Sequence, residues 1–458
     1  MEQSYNLGVA DKHIHPGNFQ INHIRLYPHN VDFMEAEKEA EGFSSSSEPT
    51  KEQSSKYADI IGAVSSFSFA EGIYQSTILG EMIIIDATNM IENYRIQSGE
   101  KVEISITQKL EEKEKTIEVE LYVSEILGIQ KPNLGSQSYK LALSTKEHFL
   151  NNLKKVNEPF EGEPTELVKS IAKVHLGSEC KSEGKGGGII KGIYPKLRPF
   201  DAISFILRNS NDTQTPLFFF QGLKDGYQIK SYKSILDKLN SEEGVYSEYN
   251  NIPLRLPKSM EDSNYYEEHR KKIQNFVGIT YSNKLGLAKK GAYKSRMQIV
   301  DLDNKKMTER DFTYNDKDLT LNKNLTISDV ETSGINNFGD DEYKNSRNYF
   351  VSLNEFSKHL PENLLKTVSV SENLSDMKSQ ITLFGDPDLV PGCIINLKMF
   401  KDQPEDTLTK DKNPDNALLG GNYLVTGITH SFGADGYLML VDIARDSSQL
   451  DFNEKVQL

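Results

Sequence analysis

Tryptophan is absent from the 458 residues and cysteine nearly so, with only Cys180 and Cys393. Two thiols so far apart and outside any partner motif exclude a disulfide-stapled scaffold. One long-range disulfide stays open, and two free thiols in a reducing compartment fit the count better. Long apolar runs are missing as well. The longest, Met82 to Ile85 and Leu217 to Phe220, fall far short of the ~20 residues that cross a bilayer. The segment Met1 to Asp11 has no basic stretch followed by an apolar one, so no secretory leader is expected. Cationic side chains are in deficit, 53 Lys and Arg against 67 Asp and Glu, for a net charge of −14. A protein that tracks nucleic-acid phosphates shows the opposite balance, and general nucleic-acid binding is disfavoured.

Catalytic and ligand motifs are equally scarce. No Gly-x-Ser-x-Gly elbow and no His-Glu-x-x-His helix occurs. The glycines from Gly177 to Gly188 fail the phosphate-loop template twice: Gly177 lies seven positions before Gly184, and Lys185 is followed by glycine. Asp301-Leu-Asp303-Asn304 begins like a calcium loop, but Lys305 and Lys306 occupy the positions that need an oxygen ligand and a glycine. His13, His15, His23 and His29 cluster near the N-terminus without a cysteine beside them. A metal site needs three or four converging ligands, and ordinary surface histidines are the plainer reading. Paired carboxylates sit in solvated runs where nothing would raise a pKa. No catalytic residue, cofactor site or metal site is expected.

What the chain does have is length for roughly two to four domains, an ordinary share of aromatics (21 Tyr, 21 Phe) and clear periodicity. Val102, Ile104 and Ile106 alternate with polar residues, as do Ile117, Val119, Leu121 and Val123, on either side of a charged tip at Leu110 to Lys115. That pattern predicts an antiparallel hairpin with one buried face. Strands are also predicted over Ile60 to Phe69, Gly80 to Ala87 and Ser138 to Leu143. From Lys146 the period turns helical: Phe149, Leu150 and Leu153, then Leu167, Ile171 and Val174 after Pro164, then Phe200, Ile203, Ile206 and Leu207 after Pro199. Lys224-Asp-Gly226 marks a hairpin turn. Tyr281 to Lys290 reads as a short helix and Ala292 to Asp301 as a strand. Residues 33–57 read as a flexible acidic and serine-rich loop, and residues 303–348, with few apolar anchors, as a long exposed insertion.

The most specific stretch is Ile381 to Asp446. Gly385, Pro387, Leu389, Pro391 and Gly392 form a corner before a strand; Gly421, Tyr423, Val425, His430 and Phe432 follow on a bent strand; Arg445-Asp446 ends its return partner. This spacing resembles the hub family of contractile injection machines: the baseplate central hub of T-even-like phages, late-control D proteins and the N-terminal part of secretion-system spike proteins. Tyr94 to Glu100 is similar to the corner that feeds that family's first barrel.

The resemblance implies an α+β, mainly β chain: two tube-like antiparallel β-barrel domains joined by a small α/β module. The first barrel would occupy residues 1–145, the α/β module and linker 146–265, and the second barrel 266–310 plus 366–458, with a polar insertion at 311–365. It further implies a structural, non-enzymatic homotrimer in the virion tail baseplate, assembled in host cytoplasm. Its partners would be a central spike protein, a tail tube or tube-initiator protein and surrounding wedge proteins, with no membrane and with DNA only in passage through the lumen. The twelve motif residues would be structural, His430 included. The net charge suggests an acidic lumen that lets DNA slip through. Three alternatives stand beside this one: a tail-associated peptidoglycan hydrolase, a small-barrel nucleic-acid binder and a secretion-system spike, the last expected to continue beyond Leu458 into a β-helix.

Overall fold

The computed structural model describes residues 17–29, 57–109, 114–133, 135–184, 188–208, 210, 215–239, 244–251, 268–280, 284–302, 304–313, 320–322, 324–325, 348–353, 360–374, 376–401 and 415–450. His13, His15, most of 33–57, the hairpin tip at 110–113 and much of 303–348 lie outside the described residues. The chain divides into two compact units. One comprises Met1–Ala70, Thr77–Phe149 and Thr429–Leu438; the other comprises Glu71–Ser76, Leu150–Ile428 and Met439–Leu458.

The strands of the first unit are β1 (Phe19–Tyr27), β2 (Ala58–Asp59), β3 (Val64–Gly72), β4 (Leu79–Asp86), β5 (Lys101–Lys109), β6 (Glu114–Asn133) and β7 (Ser136–Ser144). They pair antiparallel in the order β2-β1-β5-β6-β7-β4-β3. The predicted hairpin is β5–β6. Val102, Ile104 and Ile106 sit opposite Leu121, Val119 and Ile117, and all six are buried. Removing such a side chain from water stabilises by about 1.5–3 kcal/mol, which fixes the register, because a one-residue slip would turn the whole set outward. The corner ahead of β5 has Gly99 at φ +97 and a buried Glu100 that accepts the His29 N–H at 3.3 Å. A short helix, Met90–Tyr94, was not legible in the sequence; Asp86 starts it by accepting the Thr88 N–H at 2.8 Å and the Met90 N–H at 2.6 Å. Beyond the ladders, the Tyr437 N–H donates to Gly17 O at 2.8 Å.

The second unit opens with the α/β segment. Its strands are β8 (Pro159–Gly162), β9 (Cys180–Glu183), β10 (Ile190–Ile193), β11 (Leu217–Gly222) and β12 (Gly226–Ser231). Helices Pro164–Ile171, Pro199–Arg208 and Tyr232–Leu239 pack with them. Proline opens two of these helices, where its missing N–H costs nothing. The first continues as a π turn to Leu176 and stops at Gly177, φ +74. That turn adds a residue to the winding, so Val174, expected on the apolar face, is 66% exposed. Val168, Ile171, Ile203, Ile206, Tyr227 and Ile229 form the local core.

The remaining strands are β13 (Glu248–Asn250), β14 (Asn275–Thr280), β15 (Lys294–Asp301), β16 (Lys306–Thr313), β17 (Asn324–Leu325), β18 (Asn348–Leu353), β19 (Met377–Phe384), β20 (Ile394–Lys398), β21 (Gly421–Gly433), β22 (Gly436–Arg445) and β23 (Ser447–Ser448). The main run is β14-β19-β22-β21-β20-β13, with β13 parallel to β20. Past β13, the Asn250 N–H donates to Lys271 O at 3.0 Å and Asn250 O accepts from Ile273 at 2.8 Å, just ahead of β14. Within and next to the polar stretch read as a long exposed insertion, β16 and β18 flank β15 in a three-stranded sheet, with β16 mostly exposed. The chain is mainly β with large antiparallel sheets, as expected. No closed barrel is found among the described residues, so the two tubes implied by the resemblance are not seen complete.

Candidate functional site in the C-terminal strands

All twelve motif residues fall among the described residues, and all except Pro387 are buried. They form three structural groups. The first is the corner between β19 and β20. Asp386 N–H reaches Met439 Sδ at 3.4 Å, Asp386 Oδ1 accepts the Asp388 N–H at 3.2 Å, and Asp386 O accepts the Leu389 N–H at 3.1 Å. Gly392 then turns at φ +79, and its N–H donates to Val425 O at 2.8 Å while Val425 N–H donates to Cys393 O at 2.9 Å. The side chain of Asp386 is nearly buried and pairs with Arg270 Nη2 at 2.7 Å. It also accepts the Tyr246 hydroxyl at 2.8 Å. Burial and this carboxylate together push the Tyr246 phenol far above its ordinary value. Tyr246, Tyr249, Arg270, Lys271, Phe384 and Asp386 line a cavity of about 280 Å³. Asp386 is not among the motif residues of the corner, although an aspartate between glycine and proline is a known turn former.

The second group is Arg445-Asp446 at the end of β22. Arg445 is 1% exposed. Its guanidinium lies 4.4 Å from the Tyr423 ring centre, donates from Nη1 to Gly420 O at 2.7 Å and from Nη2 to Leu418 O. The Tyr423 hydroxyl donates to Leu419 O at 2.9 Å. Asp446 points the other way and accepts the Tyr232 hydroxyl at 2.8 Å, the Leu321 N–H at 3.1 Å and the Ser447 hydroxyl at 2.6 Å. Asn322, which the sequence did not single out, completes the knot. Its amide donates to Asn422 O and to Ser447 O, each at 3.0 Å, and its Oδ1 accepts the Asn422 N–H at 2.9 Å.

Burial pushes the Asp446 carboxyl above its ordinary 3.8, against the hydrogen bonds it accepts. The folded chain therefore keeps this proton at pH values where the unfolded chain has released it. Stability from this group is greatest below the ordinary value and falls as pH rises through the folded one. Asp446→Asn is expected to flatten that decline, checked by urea midpoints from about pH 4 to about pH 7.

The third group is aromatic. His430 is 1% exposed, with Nδ1 2.8 Å from the Tyr437 hydroxyl and its ring centre 5.0 Å from that of Phe69. Phe432 stacks on Phe67 at 4.8 Å and on Tyr437 at 4.3 Å and meets Phe19 edge-on at 5.3 Å. Pro387, Leu389, Gly421 and Val425 act as backbone or core.

Elsewhere, no cluster of three His, Cys, Asp or Glu side chains among the described residues suits a metal ion. Cys180 and Cys393 are free thiols, each pushed up to about 12 by burial. Gly184 turns at φ +115 on a surface connection. Asp301 bonds the Asn304 backbone and amide, as a turn does. No helix among the described residues is long and apolar enough to cross a membrane.

No protein-family model matches the chain, and no curated protein does. Solved structures do. A 43 kDa tail protein of prophage MuSo2 from Shewanella oneidensis is 10% identical, with a TM-score of 0.47 over 86% of this chain and 97% of its own. A tail protein from Neisseria meningitidis MC58 is 10% identical, with a TM-score of 0.47 over 93% and 96%. An E. coli component of the type VI secretion system is 9% identical, with a TM-score of 0.41 over 86% and 76%. They are tail proteins and a secretion-machine part. These are the kinds of protein that the Ile381 to Asp446 stretch resembles. Likeness at this level leaves function to the chain's own residues.

Proposed function

We propose that the chain is a structural subunit of a phage-tail baseplate: a homotrimeric hub that joins the tail tube to the central spike and catalyses nothing. The observation that carries this reading is the placement of the motif residues. The polar side chains of the motif, His430, Arg445 and Asp446, are all buried and engaged with backbone or neighbouring side chains. They hold strands together, and a ring subunit needs that rigidity.

Two local contacts favour the finer picture of two tubes. In the first unit, the bond from Tyr437 N–H to Gly17 O brings the chain just before β1 to the start of β22. In the second, the bonds of Asn250 with Lys271 and Ile273 bring the approach to β14 alongside β13. Each contact lies where the end strands of a tube would meet, the second of them through a parallel bridge between Asn250 and Lys272. Closure removes exposed edges, which suits a part packed among other β-rich parts. Two tubes per subunit and three subunits per ring would give six tubes round an axis, matching a six-fold tube above and a three-fold spike below. The spike, a tube or tube-initiator protein and wedge proteins would then be partners. The excess of carboxylates would let DNA pass the lumen without sticking.

The expected result is a trimer mass for the purified chain in sedimentation velocity, and ring-shaped particles in electron micrographs. A chain that stays monomeric at all concentrations, with or without a spike partner, would overturn the reading. So would lysis of cell-wall substrate by the isolated chain in a zymogram.

A further inference from the structure

The run Met82 to Ile85 has a structural cause. Met82 and Ile84 point into the core at 0% exposure, while Ile83 and Ile85 point outward at 42% and 55%. Strand residues alternate between faces, and a water-facing antiparallel sheet is normally polar outside. The outer face of β4 is not. The ladders extend it sideways: Leu79 lies between Ala70 and Ser144, Glu81 between Ser68 and Ala142, and Ile83 between Ser66 and Lys140. Leu127 of β6 follows on the far side of Lys140. Leu127 and Ile129 are exposed too. The charges at its centre cancel, since Lys140 Nζ is 2.8 Å from Glu81 Oε2, and exposed Glu125, opposite Ala142, adds a carboxylate on the β6 side of the face.

In the second unit, β14 reads Asn-Phe-Val-Gly-Ile-Thr without one charged side chain. Val277 and Ile279 are 46% and 58% exposed. A chain of net charge −14 repels its own copies over most of its surface, so copies approach most cheaply where carboxylates are missing or neutralised. A cationic partner would select the opposite, a face rich in carboxylates. The four strands β3, β4, β7 and β6, with about four rows of outward side chains, present roughly 300–500 Å². That is about half of the ~800 Å² per partner in a standard interface, enough for an apolar core with a polar rim around it. A closed ring brings two different patches of each copy together, head to tail.

We infer that the outer face of β4, β7 and β6 in one copy packs on β14 of a second copy, and that this contact builds the ring. The inference rests on the hub reading and names its self-association surface. Ile83→Glu with Ile85→Glu disables the face, and Val277→Glu with Ile279→Glu disables the strand. All four side chains point to solvent, so far-UV circular dichroism of each double variant should match wild type. Each variant alone is expected to sediment as a monomer where wild type is a trimer. Mixing the two leaves one intact pair of surfaces, so the mixture is expected to give a one-to-one heterodimer and nothing larger. A wild-type trimer that survives both sets of changes overturns this surface and leaves the hub reading standing. A folded pair of monomeric variants that fail to dimerise on mixing overturns the head-to-tail pairing. A monomeric wild type overturns both readings.

Discussion

Arg445→Ala is expected to lower the stability of the second unit by about 3–5 kcal/mol, among the largest single losses available in the chain. The arginine is 1% exposed and ties down the loop ahead of β21 through Gly420 O and Leu418 O. Truncation leaves both carbonyls without these charge-assisted partners, and a buried unpaired acceptor costs about 1–3 kcal/mol. It also removes the guanidinium from the Tyr423 face, a desolvated contact worth about 2 kcal/mol at most. Arg445→Lys should recover less than half of the loss, because one ammonium cannot span two carbonyls and stack on a ring at once. Urea denaturation followed by far-UV circular dichroism measures the effect, the chain having no tryptophan to report it. A loss under about 1 kcal/mol would mean that β22 ends independently of the Leu418 to Gly420 loop.

Much of the fold was legible because local pattern and tertiary burial agree. The alternation from Val102 to Val123 became β5 and β6 with facing apolar pairs. Pro164, Pro199 and Lys224-Asp-Gly226 sit at the starts and the turn they predicted. Pattern failed where burial is partial or supplied from afar. Strand β14 was passed over because its alternation is broken by Gly278 and a register shift, and its outward side chains are not polar. Strand β16 is mostly exposed and half of it is charged, which leaves no buried face for a pattern to show; its pairing with β15 makes it a strand. In the site, the glycine and proline spacing from Gly385 to Gly392 coincides with the corner between β19 and β20, where Gly392 has φ +79. Asp386, Asn322 and Tyr232 did not show, because their importance comes from partners 53 to 214 residues away. No local window contains those pairs.

Gly421→Ala is expected to cost about 2–6 kcal/mol, for two reasons that add. The residue sits at φ +116, where an L side chain carries strain of about 1–3 kcal/mol. A Cβ there would lie 2.6 Å from Asn322 Oδ1, the oxygen that accepts the Asn422 N–H. Asn322 cannot swing aside freely, because its amide nitrogen bonds Asn422 O and Ser447 O and its backbone N–H donates to Ser447 Oγ at 2.7 Å. Relief of the clash therefore has to loosen the contact between residues 320–322 and β21, and with it the Leu321 N–H bond to Asp446. Gly433→Ala on the same strand is the control: its Cβ would meet only Ser66 Cβ at 3.5 Å, an ordinary contact, and the expected change is below about 1 kcal/mol. Asn322→Ala in the Gly421→Ala background separates the two causes. It removes the closest contact, leaves those to Gln449 Cγ and Nε2 at 3.2 and 3.3 Å and keeps the backbone strain, so the double variant should lose less stability than the sum of the single ones. Simple additivity would show that the Asn322 contact contributes nothing to the need for glycine at this corner.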